Sequence, residues 1–215
     1  NINIIEIGPG TGSLTDEIIK YNPKELILLE KNIFFYNLLK KKYKNYKNIK
    51  IYNIDALKFN YKLIGKNIII SNLPYNISRK IIFYLLLNFK NIKLMIFMLQ
   101  KEVAQKFDYT NNVKRNKYNF LIEVLSKYKV EFNLSNKVFY PKPKVLSSIV
   151  TIKPKNNNFD INKLIKFTNI FFKNKRKKIR NNIKFYKNKK KLDYLIEKRS
   201  EELNTKEVLY LFNKF

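Results

Sequence analysis

Hydrophobic positions in this chain fall into short β-branched runs that alternate with stretches of helical period. Ile2 to Ile7 is an apolar run ending at glycine and predicts a buried strand. Ser13 to Tyr21 reads as a helix with Ser13 or Thr15 near its start. Glu25 to Glu30 (ELILLE) predicts a second strand, and Ile33 to Tyr43 a second helix. Ile49 to Ile54 and Asn67 to Ser71 predict a third and a fourth strand. A helix over Ser78 to Leu87 then leads to a strand over Leu94 to Leu99. This alternation predicts an α/β fold with a parallel sheet covered by helices.

Beyond Leu99 the order changes. Tyr118 to Ser126 reads as a helix, and Lys129 to Leu134 and Ser148 to Lys153 as strands, with Pro141 and Pro143 stiffening the loop between them. From Lys155 onward no strand pattern remains, and helices are expected near residues 161–173, 175–186, 190–197 and 205–213. Asn156-Asn157-Asn158 suits a linker. The expected organisation is a sheet domain over residues 1–154 and a small basic all-α domain over residues 155–215.

Composition then narrows the partners. Hydrophobic residues make up 45% of 215 residues, enough for the core of one α/β domain with an appendage. The formal net charge is +29, from 45 Lys+Arg against 16 Asp+Glu. Ile, Phe, Tyr, Asn and Lys are over-represented, as AT-rich coding would produce, so part of the lysine excess has that origin. An excess of this size attracts polyanions whatever its origin, which makes nucleic acid the first expected partner and an anionic membrane surface the second. No apolar stretch is long enough to span a bilayer and no signal peptide is visible, so the expectation is a soluble cytoplasmic protein.

Two absences restrict the chemistry. Without Cys there is no thiolate nucleophile or thiolate zinc site; without His there is no imidazole base, hence no Ser-His-Asp triad. Catalysis must rest on binding geometry, hydrogen bonds, carboxylates, amides or aromatics. Group transfer from an activated donor suits that restriction, and no metal is expected.

Three of the four glycines, Gly8, Gly10 and Gly12, lie in Glu6-Ile7-Gly8-Pro9-Gly10-Thr11-Gly12, where the first strand turns into the first helix. Glycine there permits unusual dihedrals and close approach of a ligand to the backbone. A nucleotide-like cofactor at the carboxyl end of the sheet is expected, the alternative being a tight turn with no ligand. The spacing Gly-x-Gly-x-Gly, with an acid two residues ahead, differs from the dinucleotide fingerprint. It resembles the S-adenosylmethionine site of class I methyltransferases. Glu30 ends the second strand, where a carboxylate can accept both ribose hydroxyls; an exposed strand-end charge is the alternative. Asp55, after the third strand, can accept the adenine amino group of a cofactor or cap a turn.

After the fourth strand comes Ser71-Asn72-Leu73-Pro74-Tyr75, which resembles the Asn/Asp-Pro-Pro-Tyr element of amino methyltransferases that act on bases. The exocyclic nitrogen of adenine is a poor nucleophile because its lone pair is delocalised into the ring. An amide oxygen from Asn72 and the Leu73 carbonyl can each accept one N–H, which favours a tetrahedral nitrogen facing the methyl donor. Pro74 fixes the local backbone. Tyr75 offers a stacking surface for the base. The target adenine must be flipped out or unpaired, and Phe139 is the candidate for a second aromatic face, although a core position fits it equally.

Taken in order, EIGPGTGSLT (6–15), LLEKN (28–32), IDAL (54–57), SNLPYNIS (71–78), FMLQKEV (97–103), FYPKPKVLSSIV (139–150) and KNKRKKIRNNI (173–183) resemble the KsgA-type ribosomal RNA adenine dimethyltransferases. The resemblance implies a Rossmann-like class I methyltransferase sheet with a small C-terminal helical domain. It implies dimethylation of two adjacent adenosines in a hairpin near the 3′ end of small-subunit ribosomal RNA, within a pre-30S-type particle, by a monomer that uses S-adenosylmethionine. Glu6, Gly8, Gly10, Gly12, Glu30, Lys31, Asp55, Ala56 and Asn72 would contact the cofactor or line its site. Asn72 to Tyr75 and Phe139 would hold the adenine. Lys173, Lys175, Arg176, Lys177 and Arg180 would meet RNA, with Arg176 and Arg180 four apart on one helix face; a solvated charge run is the alternative. Family members carry a basic N-terminal segment with Gln-Asn-Phe-Leu that closes over the cofactor, whereas this sequence starts at the first strand; a truncated chain or a pocket short of part of its lid is the expectation. Two other readings stay open: an erythromycin-resistance methylase acting on large-subunit RNA, and a noncatalytic assembly factor.

Overall fold

The computed structural model describes residues 2–72, 75–110, 114–138, 145–174, 176–182 and 193–215. Seven strands, β1 (Asn3–Ile7), β2 (Glu25–Glu30), β3 (Ile49–Asn53), β4 (Asn67–Ser71), β5 (Ile92–Gln100), β6 (Ser126–Leu134) and β7 (Ser147–Pro154), form one sheet in the order β3-β2-β1-β4-β5-β7-β6. The first five run parallel, and β7 lies antiparallel to β5 with Phe97 opposite Val150. Chain order runs outward from β1 to β3 in one direction and from β4 to β5 in the other. The strand order therefore reverses between β1 and β4, which is where open α/β sheets bind ligands.

The reason for the parallel core is visible in β2. Every residue of ELILLE except the first is buried, as required of a strand covered on both faces. Leu26 and Leu28 alternate to one face and pack with Ile18 of α1 (Ser13–Ile19) and with Leu39 and Tyr43 at the end of α2 (Ile33–Lys42). A further helix, α3 (Tyr75–Asn88), follows β4, and α4 (Lys101–Phe107) follows β5 without a break. No pattern in KEVAQKF had marked α4. α1 starts at Ser13, as expected, and the residue that caps it is Gly12, in the left-handed conformation with φ 84° and no side-chain hydrogen bond.

The chain forms two compact units: Asn1–Ala104 with Tyr128–Pro154, and Gln105–Lys127 with Lys155–Phe215. The second unit thus takes in residues that precede the last two strands. Its α5 (Lys117–Leu125) buries Phe120, Leu121, Ile122 and Leu125, and Phe120 meets Phe172, just after α6 (Ile161–Phe171), at 5.9 Å between ring centroids. Glu123 of α5 accepts hydrogen bonds from Arg115 and from Thr205, at the start of α9 (Thr205–Lys214). The other described helices there are α7 (Ile179–Asn182) and α8 (Asp193–Ile196). Lys178 pairs with Arg199 in an isolated β-bridge, and the Ile179 N–H donates to the Lys198 carbonyl at 3.0 Å. That bridge delays the helix expected from residue 175, so Arg176 lies outside α7 and does not share a helix face with Arg180.

Candidate active site

A cavity of about 510 Å³ opens at the carboxyl ends of β1 to β4 in the first unit. Ile7, Gly8 and Gly10 line it from β1 and the turn after it; Leu29, Glu30, Lys31 and Asn32 line it from β2. Ile54, Asp55, Ala56 and Leu57 follow β3, Asn72 follows β4, and Phe35, Ile77, Lys80 and Ile81 come from the helices. Of the residues expected around a cofactor, Gly8, Gly10, Glu30, Lys31, Asp55, Ala56 and Asn72 meet in this one space. Glu6 and Gly12 do not line it.

The turn after β1 needs its glycines. Gly8, Gly10 and Gly12 have φ of 68°, 57° and 84°, in the left-handed region that other residues rarely adopt. A Cβ on Gly10 would meet nothing within 4 Å, so the space above that backbone is open. A Cβ on Gly12 would lie 2.4 Å from the Tyr43 hydroxyl. Tyr43 approaches that closely because its hydroxyl lies 3.0 Å from the Gly12 carbonyl and 2.8 Å from Asp16 Oδ1, and its single proton serves one of them at a time. Burial and the Asp16 carboxylate push the Tyr43 hydroxyl up to about 12. Lys42 Nζ donates to Asp16 Oδ2 at 2.6 Å and to the Thr11 carbonyl at 3.3 Å. The end of α2 therefore grips the glycine turn from behind, a role hidden in the sequence because Tyr43 follows Leu39 at core spacing.

The carboxylates are held by backbone. Glu30, only 7% exposed, accepts the Gly10 N–H at 3.1 Å and the Asn32 N–H at 2.8 Å, one on each oxygen. Asp55 accepts the Leu57 N–H at 3.0 Å on Oδ1 and Lys31 Nζ at 3.1 Å on Oδ2, and these two partners hold it below the usual carboxylate range. Glu6 faces elsewhere: it is 2% exposed and accepts the Thr15 hydroxyl at 2.6 Å. Burial dominates there, against the Thr15 hydrogen bond, and pushes its carboxyl up to about 7.

The Ser71 hydroxyl donates to the Ile7 carbonyl, tying the end of β4 to the end of β1. Asn72 is exposed and borders the cavity, and α3 starts at Tyr75. Ile77 and Ile81, one turn apart on α3, form part of the wall; their spacing after the tetrapeptide is a signal that sequence reasoning left unused. Leu73, Pro74, Phe139 and Lys175, together with the Tyr75 side chain, lie outside the described residues. In the second unit Lys173, Arg176, Lys177 and Arg180 are exposed. Arg180 donates to Glu197 at 2.6 Å, and Lys178 to the other oxygen at 2.7 Å.

The donor set fits S-adenosylmethionine. Each oxygen of Glu30 keeps a free lone pair after its backbone bond, as a ribose diol requires. The Ile54, Ala56, Leu57 and Phe35 side chains supply apolar surface for a flat base. The open backbone at Gly10 permits close approach.

Comparison with known proteins agrees with that chemistry. A family model described as ribosomal RNA adenine dimethylase matches residues 1–213. The ribosomal RNA small subunit methyltransferase A of Malacoplasma penetrans is 38% identical over 97% of this chain and 79% of its own length. A solved dimethyladenosine transferase from Plasmodium falciparum superposes with a TM-score of 0.79 at 26% identity, covering 100% of this chain and 90% of that one. The 23S rRNA methyltransferase ErmE superposes with a TM-score of 0.75 at 20% identity, covering 100% and 91%, a likeness of fold alone. The match over nearly the whole length places the chain in the ribosomal RNA adenine dimethylase family, whose members transfer methyl groups from S-adenosylmethionine to adenine.

Proposed function

We propose that this enzyme dimethylates N6 of two adjacent adenosines in a hairpin near the 3′ end of small-subunit ribosomal RNA, acting as a cytoplasmic monomer on a pre-30S-type particle. The observation that carries the site assignment is the meeting of Asn72 with Gly8, Gly10, Glu30 and Asp55 around one cavity. The choice of small-subunit RNA is supported by the name of the Malacoplasma relative at 38% identity. Among the described residues no helix is long and apolar enough to cross a membrane.

When bound, S-adenosylmethionine supplies an electrophilic methyl group. Glu30 holds the ribose diol, Asp55 accepts the adenine amino group of the cofactor, and Lys31 and Ala56 border them. The glycine turn lets the cofactor lie against backbone. The Asn72 amide oxygen and the Leu73 carbonyl each accept an N–H of the target amine, so its lone pair is turned toward the donor. Pro74 keeps that carbonyl aimed, while Tyr75 and Phe139 stack on the flipped base. The departing proton goes to solvent after transfer, in keeping with a chain that has no His. Lys173, Lys175, Arg176, Lys177 and Arg180 contact RNA phosphates.

The test is a methylation assay with undermethylated small and large subunits and labelled S-adenosylmethionine, read by mass spectrometry. Dimethyladenosine on small-subunit RNA alone is expected; label only on large-subunit RNA overturns the reading, as does binding without transfer. Asn72→Ala is expected to lower turnover by about 10²–10³, the usual effect of removing one preorganised hydrogen bond from a reacting centre. RNA affinity should stay within about twofold, and retained turnover would sink the proposed role of the amide.

A further inference from the structure

β3 is an edge strand, and the surface beside it is concave, with a cleft of about 310 Å³ between α2, the residues after it and β3. Tyr46 and Tyr52 line this cleft and are 45% and 40% exposed. Each ring is braced by an aromatic neighbour: Tyr46 meets Tyr43 edge-on at 5.9 Å, and Tyr52 meets Phe59 at 5.5 Å between centroids. Lys40, Lys44 and Lys50 line the same cleft, and no carboxylate does. Lys50 is neutralised by Glu25. Lys40 and Lys44 are exposed and have no acidic partner among the described residues.

Two ordinary explanations cover part of this. Lysine at a helix C-terminus complements the helix dipole, and lysine on an edge strand blocks strand addition. Neither explains large aromatic rings left two-fifths exposed, because neither effect involves an aromatic. Exposed rings interleaved with unpaired cations are what a single nucleic-acid strand requires: π-faces for its bases and positive charge for its phosphates. A duplex does not fit, since its bases are already stacked.

We propose that the β3-edge cleft is a docking site for an unpaired RNA segment, with bases on Tyr46 and Tyr52 and phosphates at Lys40 and Lys44. The proposal rests on the reading of ribosomal RNA as the substrate and adds a surface separate from the methyl-transfer cavity. It would hold a strand that continues beyond the target nucleotides while the adenine occupies the cavity.

The full chain is titrated with a fluorescent ten-nucleotide oligouridylate and, separately, with a duplex RNA. The variants are Tyr46→Ala/Tyr52→Ala, Tyr46→Phe/Tyr52→Phe and Lys40→Gln/Lys44→Gln. Loss of two stacking platforms is expected to weaken oligouridylate binding by about tenfold or more, with the Phe pair near wild type and duplex binding unchanged. The lysine pair should lower the salt slope by about 0.7 per lysine, and the Ala pair should leave it unchanged. Photocrosslinking of an iodouridine-containing oligomer should map to Tyr46 and Tyr52. Unchanged affinity in the Ala pair, equal loss on duplex, or crosslinks confined to other surfaces would each overturn the proposal. None of these readouts needs methyl transfer. Failure of the methylation assay with Tyr-dependent binding intact therefore counts against the substrate assignment alone, and normal methylation with Tyr-independent binding against this site alone.

Discussion

Glu6 shows what a single position in the sequence can and cannot convey. An acid two residues before the glycine window was expected to face the cofactor, yet it is buried against Thr15 and outside the cavity. Strand alternation turns Glu6 to the opposite face from Ile5 and Ile7, and no spacing rule announces that α1 will bring a hydroxyl to meet it. The consequence is thermodynamic. A carboxyl at about 7 in the folded chain, against an ordinary value of 4.5, binds its proton more tightly folded than unfolded. Its contribution to stability is then fully present below pH 4.5 and is lost as pH rises through 7. Glu6→Gln keeps an acceptor for Thr15 and removes the titration. Wild type should lose stability relative to Glu6→Gln between pH 4.5 and 8, by on the order of 3 kcal/mol. Urea midpoints at both pH values decide it: a wild-type-minus-variant difference that does not change with pH rules out the buried titration. By contrast, Glu30 lines the cavity because it is the last residue of a parallel strand, and Asp55, two residues beyond β3, is held there by the Leu57 N–H and Lys31.

At the scale of elements, the strands and helices of the first unit were readable because a parallel core writes itself as short apolar runs. What the runs omit is how elements touch. Tyr43 was legible only as the end of a helix and is also a brace on the glycine turn; α4 follows β5 with no breaker to mark it; and a bridge to Arg199 displaces the start of α7. The brace is testable by a double-mutant cycle. Gly12→Ala adds a Cβ 2.4 Å from the Tyr43 hydroxyl at a residue with φ +84°. It should destabilise by about 1–3 kcal/mol through strain and clash together. Tyr43→Phe removes the clashing oxygen along with its hydrogen bond, so the double variant should be more stable than the sum of the two single effects predicts by about 0.5–1 kcal/mol. Thermal or urea denaturation of the four proteins measures the coupling, and strict additivity would show that the turn does not lean on α2. The same variants should raise KM for S-adenosylmethionine more than they lower kcat, since the damage lies behind the cofactor and away from Asn72.

Across the whole molecule, the sequence conveyed two kinds of region but not their membership. Residues 105–125 precede two strands in the chain, yet they belong to the helical unit through α5. Contiguity in sequence is a poor guide when a strand pair is inserted between parts of one core. The net charge of +29 is likewise a sum that hides local pairing. Arg180 already shares Glu197 with Lys178, whereas Arg176 and Lys177 are exposed without an acidic partner among the described residues. Counterion release depends on charges that phosphate can neutralise, so these arginines should not count equally. For a structured RNA, Arg176→Gln/Lys177→Gln should reduce the slope of log K against log salt by about 0.9 per charge. Arg180→Gln alone should reduce it by clearly less, because Glu197 has claimed part of that charge. Affinities measured across a salt series give the slopes directly. If the Arg176/Lys177 pair leaves the slope untouched, the segment is a solvated face and the RNA must be held elsewhere. If Arg180→Gln lowers the slope as much per charge as the Arg176/Lys177 pair does, the pairing with Glu197 breaks when RNA arrives.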